Sequence, residues 1–207
     1  MTDAWPAERL TALAVDWLRK QRPDALIVPE FVCGSGGAAR IDLAAITKDG
    51  IFGVEVKGDG DTAARLPSQG PLFSAVCSTV HLLSAPSLLE KMREKRPAHW
   101  AILRVEDDAL VGEWGYSHSQ DYYLAPQVLL DCLWRPELLK LCTRLRVGVD
   151  RKTARVRDMI REISSLVPMR EIKAGVCEAL LERQWTNWTG ATGESRRLFR
   201  PEEGRSA

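Results

Sequence analysis

Apolar residues recur at helical spacing between Pro6 and Gln21, where Leu10, Leu13, Ala14, Trp17 and Leu18 fall on one stripe. Pro6 and the neighbouring acids are helix-start signals, so the first element is a helix. The period then shortens to two. Ala25 to Cys33, Arg40 to Thr47 and Ile51 to Lys57 read as strands, and Lys48-Asp49-Gly50 supplies a hairpin turn between the second and third. Leu66 to Cys77, opening near Pro67, reads as a helix, Thr79 to Ser84 as a buried strand, Leu88 to Lys95 as a charged helix, and His99 to Val105 as a further strand. Between Glu106 and Tyr123 the periodicity fades, with Ala109 to Trp114 as a candidate peripheral strand. Farther on, Arg151 to about Leu166 and Pro168 to Leu181 have the spacing of two helices. The alternation predicts a mixed α/β fold with a central sheet, flanking helices and a helical C-terminal extension. The chain divides into a core over 1–123, a basic helical subdomain packed on it over 124–185, and a mobile tail over 186–207, where only Trp188, Leu198 and Phe199 interrupt a polar composition.

The predicted hairpin gathers the chain's most reactive side chains. If the turn is Asp49-Gly50, Asp42 lies opposite Lys57 and Glu55 opposite Ala44; a four-residue loop instead sets Asp42 opposite Glu55. In either register all three charged groups share one face. The other face carries Ile41, Leu43, Phe52, Val54 and Val56, which places a core behind the acids. Two carboxylates about 5 to 7 Å apart repel, and a hard divalent cation with oxygen ligands relieves that repulsion. Magnesium, for which manganese can substitute, fits Asp42, Glu55 and the Val56 carbonyl, with water completing the shell. A water activated there, oriented by Lys57, is the nucleophile of phosphodiester hydrolysis. The simpler alternative is an exposed ion-pair network. Gly34-Ser35-Gly36-Gly37 before the hairpin and Gly58-Asp59-Gly60-Asp61 after it suit close approach of a ligand backbone instead.

Asp42 with Glu55-Val56-Lys57 resembles the signature of the PD-(D/E)XK nuclease superfamily, over roughly residues 5 to 105, although Ile41 stands where the name places proline. The resemblance implies a restriction-endonuclease-like αβββαβ core. It also implies an extra metal-binding acid on the first helix, for which Glu8 is the candidate; a first-turn Glu complementing the helix dipole is the alternative. Glu30 in Pro29-Glu30-Phe31 competes for that role or is a surface strand residue. The stretch from Asp59 to Gln69 resembles one branch of the superfamily in which an acid, an arginine and a glutamine follow the lysine and an aromatic follows four residues later. Here Phe73 takes the place of the usual tyrosine, so no hydroxyl is available. Gln69 would then bond a metal's water or a phosphate, and Arg65 would clamp a phosphate through its planar fork.

Charge changes the picture of partners. The 207 residues carry a formal net charge of +1, but residues 1–134 hold 13 Lys+Arg against 18 Asp+Glu, and residues 135–207 hold 16 against 10. Arg151, Lys152 and Arg155 line one side of their predicted helix and could track a DNA backbone, or form a solvated helix face. Trp114, Tyr116, Tyr122 and Tyr123 are candidates for stacking on unpaired bases or for capping a core edge. Five cysteines without a CxxC pair indicate reduced thiols in cytoplasm and no zinc site. His81, His99 and His118 show no metal spacing. No apolar run is long enough for a membrane span, and Met1 to Pro6 lacks the features of a signal peptide. The expected function is Mg²⁺-dependent DNA hydrolysis in repair, recombination or phage-related processing. The alternatives are a non-cleaving nucleic-acid-binding protein or a structural partner in a larger assembly, and a homodimer is one possible state.

Overall fold

The computed structural model describes residues 4–34, 39–113 and 120–185. A six-stranded mixed sheet runs in the order β1(Leu26–Cys33), β2(Ala39–Thr47), β3(Gly50–Lys57), β4(Thr79–Ser84), β5(Ala101–Glu106), β6(Ala109–Gly112). The first three strands form an antiparallel meander, β3, β4 and β5 are parallel, and β6 returns antiparallel. The two parallel steps need crossovers. These are α2(Leu66–Val76) and α3(Leu89–Lys95).

Helices cover both faces, so the sheet is the middle of three layers. On one side α1(Ala7–Gln21) packs Leu10, Ala14 and Leu18 against Leu43, Val54 and Leu83. On the other, α2 and the C-terminal helices α4(Pro126–Leu130), α5(Arg135–Arg144), α6(Val156–Leu166) and α7(Met169–Glu182) close over Val28, Ile46, Ile51 and Leu82. This second core is continuous from the sheet through Leu138, Ile163 and Val176. The mixed α/β fold with a helical C-terminal part is therefore as its periodicity predicts.

Three local expectations are corrected. The β2–β3 turn is Lys48-Asp49, closed by the Thr47↔Gly50 pair, in place of Asp49-Gly50, and the pairing runs in the alternative register, the one that sets Asp42 toward Glu55. Asp49 N donates to Thr47 Oγ1 at 3.1 Å, and Gly50 sits so near Ser78 that any Cβ would collide with it. The glycine serves a close approach, and the Asp-Gly turn signal is overridden. Second, Ile41 does not share a layer with Leu43 and Val54; it packs on the opposite side, over Gly53. Third, Arg151 to Thr153 is a turn and α6 begins only at Val156. Asp150 holds that turn by accepting from Lys152 N at 2.9 Å and Thr153 Oγ1 at 2.7 Å, so Arg151, Lys152 and Arg155 do not form a helical stripe.

Candidate active site

The change of face at Ile41 has its cause in β1. Glu30 has φ of 51°, a left-handed conformation in mid-strand, and it interrupts the β1–β2 ladder between Pro29↔Leu43 and Phe31↔Ile41. Asp42 is its partner position. Non-glycine residues in this region are uncommon and cluster where surrounding structure imposes them. Past the break, β2 and β3 also stop pairing, because their last ladder pair is Leu43↔Val54. The Val56 N–H turns to the Asp42 carboxylate, donating to Oδ2 at 2.6 Å. A side chain thus replaces a main-chain acceptor.

Glu55 and Lys57 follow on the β3 face that bears Ile51 and Gly53, both buried, at 2% and 6% exposure. Lys57 Nζ donates to Glu55 Oε1 at 2.6 Å. Burial drives the Glu55 carboxyl up to about 7; the nearby Asp42 charge adds to the rise, and Lys57 and Arg65 oppose it. Asp42 is raised as well, first by burial, against the Val56 N–H bond and Lys57. The charge that adds to the rise at Asp42 is that of Asp61.

Two cavities meet at this point. A polar one of about 340 Å³ lies among Asp42, Glu55, Lys57, Arg65, Gln69 and Arg40. A larger one of about 670 Å³ extends along α1 and shares Glu30, Asp42, Lys57 and Arg65 with the first. Gly58 fixes the wall between loop and helix: the main chain of Pro6 and Ala7 lies against it, where a Cβ would collide. The Trp5 and Asp59 main chains bond there too, Asp59 N donating to Trp5 O at 3.1 Å.

The expected Asp42, Glu55 and Lys57 therefore converge, with Arg65 at the start of α2 and Gln69 in its first turns. Gln69 Oε1 and Glu55 Oε2 are both buried without a hydrogen-bond partner. Two acids that repel, plus two unsatisfied oxygens lining one small cavity, fit a hard cation of the kind that takes one or two carboxylates and keeps several waters. Among the described residues no group of three or more His, Cys, Asp or Glu could hold a metal. Glu8, which lines only the larger cavity, consequently does not complete a three-acid site. Glu30 lines both cavities and pairs with Arg40 at 3.7 Å.

Other expected residues lie elsewhere. Arg151, Lys152 and Arg155 line neither cavity. Phe73 is fully buried and stacks on Trp100 at 6.0 Å, a core role. Tyr122 is 93% exposed, Tyr123 stacks on His99 at 3.8 Å, and Trp114, Tyr116, His118 and the tail lie outside the described residues. All five cysteines are buried free thiols. No helix among the described residues is long and apolar enough to cross a membrane. Sequence reasoning missed Arg40, two positions before Asp42, and the cleft-lining run of Ala12, Asp16 and Arg19 with Glu8 on α1. Their spacing of three and four along one helix face was the available signal.

A family model described as Bacteriophage P4 protein cII matches residues 6–196. The chain belongs to that family. This overturns the membership in the PD-(D/E)XK superfamily that Asp42 and Glu55-Val56-Lys57 implied: a match over residues 6–196 of this chain outweighs a signature of a few residues. No curated protein and no solved structure matches the chain.

Proposed function

We propose that this P4 cII family member is a divalent-cation-dependent phosphodiester hydrolase acting on DNA in the cytoplasm. The observation that carries the reading is the meeting of half-buried Asp42 with buried Glu55 and Lys57, with Glu55 raised to about 7 and its Oε2 unpartnered in a polar cavity. Strongly perturbed acids in a cleft are a mark of chemistry more than of packing. Asp42 and Glu55 would hold the cation, Mg²⁺ or Mn²⁺, and Gln69 Oε1, buried without a partner, would accept a hydrogen bond from water in the same cavity. When bound, that cation supplies Lewis acidity, making water more acidic and offsetting phosphoryl charge. Lys57 donates to Glu55 and presents its remaining protons to the attacking water or to the phosphoryl oxygen. Arg65, exposed at the shared rim, grips the phosphate bidentately.

A second reading, a nucleic-acid-binding protein that does not cut, is favoured by one observation: Lys57 Nζ is already engaged by Glu55 at 2.6 Å. One assay separates the two. Purified protein is incubated with linear, circular, single-stranded and branched DNA plus Mg²⁺ or Mn²⁺, alongside Asp42→Ala and Lys57→Ala. The first reading predicts metal-dependent cleavage that falls by roughly 10² or more in either variant. Cleavage unchanged by both substitutions, or DNA binding with no cleavage by the unmodified protein, rejects it.

A further inference from the structure

A separate cavity of about 410 Å³ lies at the other end of the sheet and shares no lining residue with the two at the acid pair. Cavities of about 300–1,000 Å³ take whole small molecules. Its floor is Phe52, Thr79 and Ala101, all buried, near the starts of β3, β4 and β5, whereas Glu55 and Lys57 stand at the end of β3. One wall is half-buried Trp17 of α1, whose ring meets that of His81 edge-on at 5.0 Å. Gln21 and Gly112, both exposed, leave the cavity open to solvent. Half-buried Arg22, the C-cap of α1, is the one cation among the described lining residues, and its guanidinium lies over the Phe52 ring, 3.4 Å from the centroid. Burial lowers its pKa, and Asp24 and Asp49 oppose that through charge. Among the described residues, however, no carboxylate pairs with Arg22 and no acceptor takes its side-chain N–H groups. The lining carboxylate, Glu113, is already neutralised: both terminal nitrogens of Arg93 donate to it at 2.7 Å, and Arg104 lies at 3.2 Å. The cavity is left with one unpaired positive charge beside aromatic walls.

We propose that this cavity is a ligand site, separate from the acid pair, for a small flat molecule that bears one carboxylate. The Arg22 fork takes the carboxylate bidentately. The ring system lies against Trp17 and His81, where aromatic contacts add to its burial. A single negative charge matches the single unpaired cation. A phosphate monoester, carrying roughly two charges at pH 7, would bring an excess that nothing in the cavity matches and that Asp24 and Asp49 repel. An uncharged ring would cover the guanidinium without replacing the water it loses, which costs free energy. The site stands whether or not the acid pair cuts DNA.

The test is calorimetric titration of the full chain at pH 7 with 1-naphthoate, beside 1-naphthamide, which keeps the ring without the charge, and 1-naphthyl phosphate. The carboxylate should fill one site per chain, with the amide and the phosphate at least about tenfold weaker. Arg22→Gln should weaken 1-naphthoate by about tenfold or more with an unchanged circular dichroism spectrum. Arg22→Lys keeps the charge and loses the fork, so it should fall between that variant and the unmodified protein, and it guards against a folding defect in the first. In imidazole NMR spectra the His81 signal, identified by its loss in His81→Gln, should shift on saturation, which locates the ligand in this cavity. No saturable binding, equal affinity for the amide, affinity unchanged in Arg22→Gln, or binding that leaves the His81 signal in place overturns the proposal. Tighter binding of the phosphate overturns the single-carboxylate ligand.

Discussion

Glu55 carries the largest consequence at the scale of single residues. Its carboxyl ionises near 7 in the folded chain against an ordinary 4.5, so the native state holds this proton more tightly than the unfolded state does. The stability it contributes is full below 4.5 and is lost as pH rises through about 7. His81 acts in the opposite sense: burial lowers it to about 4 from 6.5, and its contribution is lost as pH falls through that window. The raw pH curve therefore mixes two trends, and the difference between proteins isolates one. In EDTA, the urea midpoint of Glu55→Gln minus that of the unmodified protein should grow steadily between pH 4.5 and 7.5. A difference that stays constant across that range would mean that Glu55 ionises normally. Asp42→Asn should likewise lower the Glu55 value, because Asp42 is the second cause of its rise after burial; ¹³C-carboxyl NMR titration reads it directly.

At the scale of elements, the site depends on a strand that is bent on purpose at Glu30. A β-branched residue tolerates left-handed φ poorly, so Glu30→Val should destabilise by on the order of 1–2 kcal/mol, whereas Glu30→Gly should come within a fraction of that in chemical denaturation. Equal midpoints for the two variants would show that the bend costs nothing. Gly53 is the matching accommodation on β3, since Ile41 crosses over it and Cys77 lies beside it. Gly53→Ala should cost about 1–3 kcal/mol, with most of the loss recovered in a background of Ile41→Ala; a purely additive double mutant would count against the contact. These particulars explain what was legible beforehand. Period-two alternation located β1, β2 and β3 within a residue or two, and with them the convergence of Asp42, Glu55 and Lys57, since apolar patterning specifies strands locally. Ile41 was assigned to the wrong layer because a positive φ at a glutamate leaves no mark in composition. The turn was misplaced because Gly50 answers to Ser78, a contact 28 positions away. Glu8 was over-read from the resemblance, and Arg151, Lys152 and Arg155 lost their stripe to a local Asp150 turn.

For the whole molecule, the division of labour between sheet and C-terminal helices is a matter of sequence and not of core. Leu138, Ile163, Ile172 and Val176 share one apolar cluster with Val28, Ile46, Ile51 and Phe73. Arg183 locks the far end, donating to Glu137 Oε2 at 2.6 Å and Cys132 O at 2.8 Å. A fragment ending at residue 123 would expose that face of the sheet, and should show no cooperative thermal transition; a sharp calorimetric peak from the fragment would establish an independent domain. The full chain brings two acids to one polar cavity and leaves Glu55 Oε2 and Gln69 Oε1 there unsatisfied. Calorimetric titration with Mn²⁺ at pH 8 should show one site per chain, abolished by Glu55→Gln and by Asp42→Asn and retained in Glu8→Gln. Absence of saturable binding, or binding that survives both substitutions at the acid pair, would contradict it.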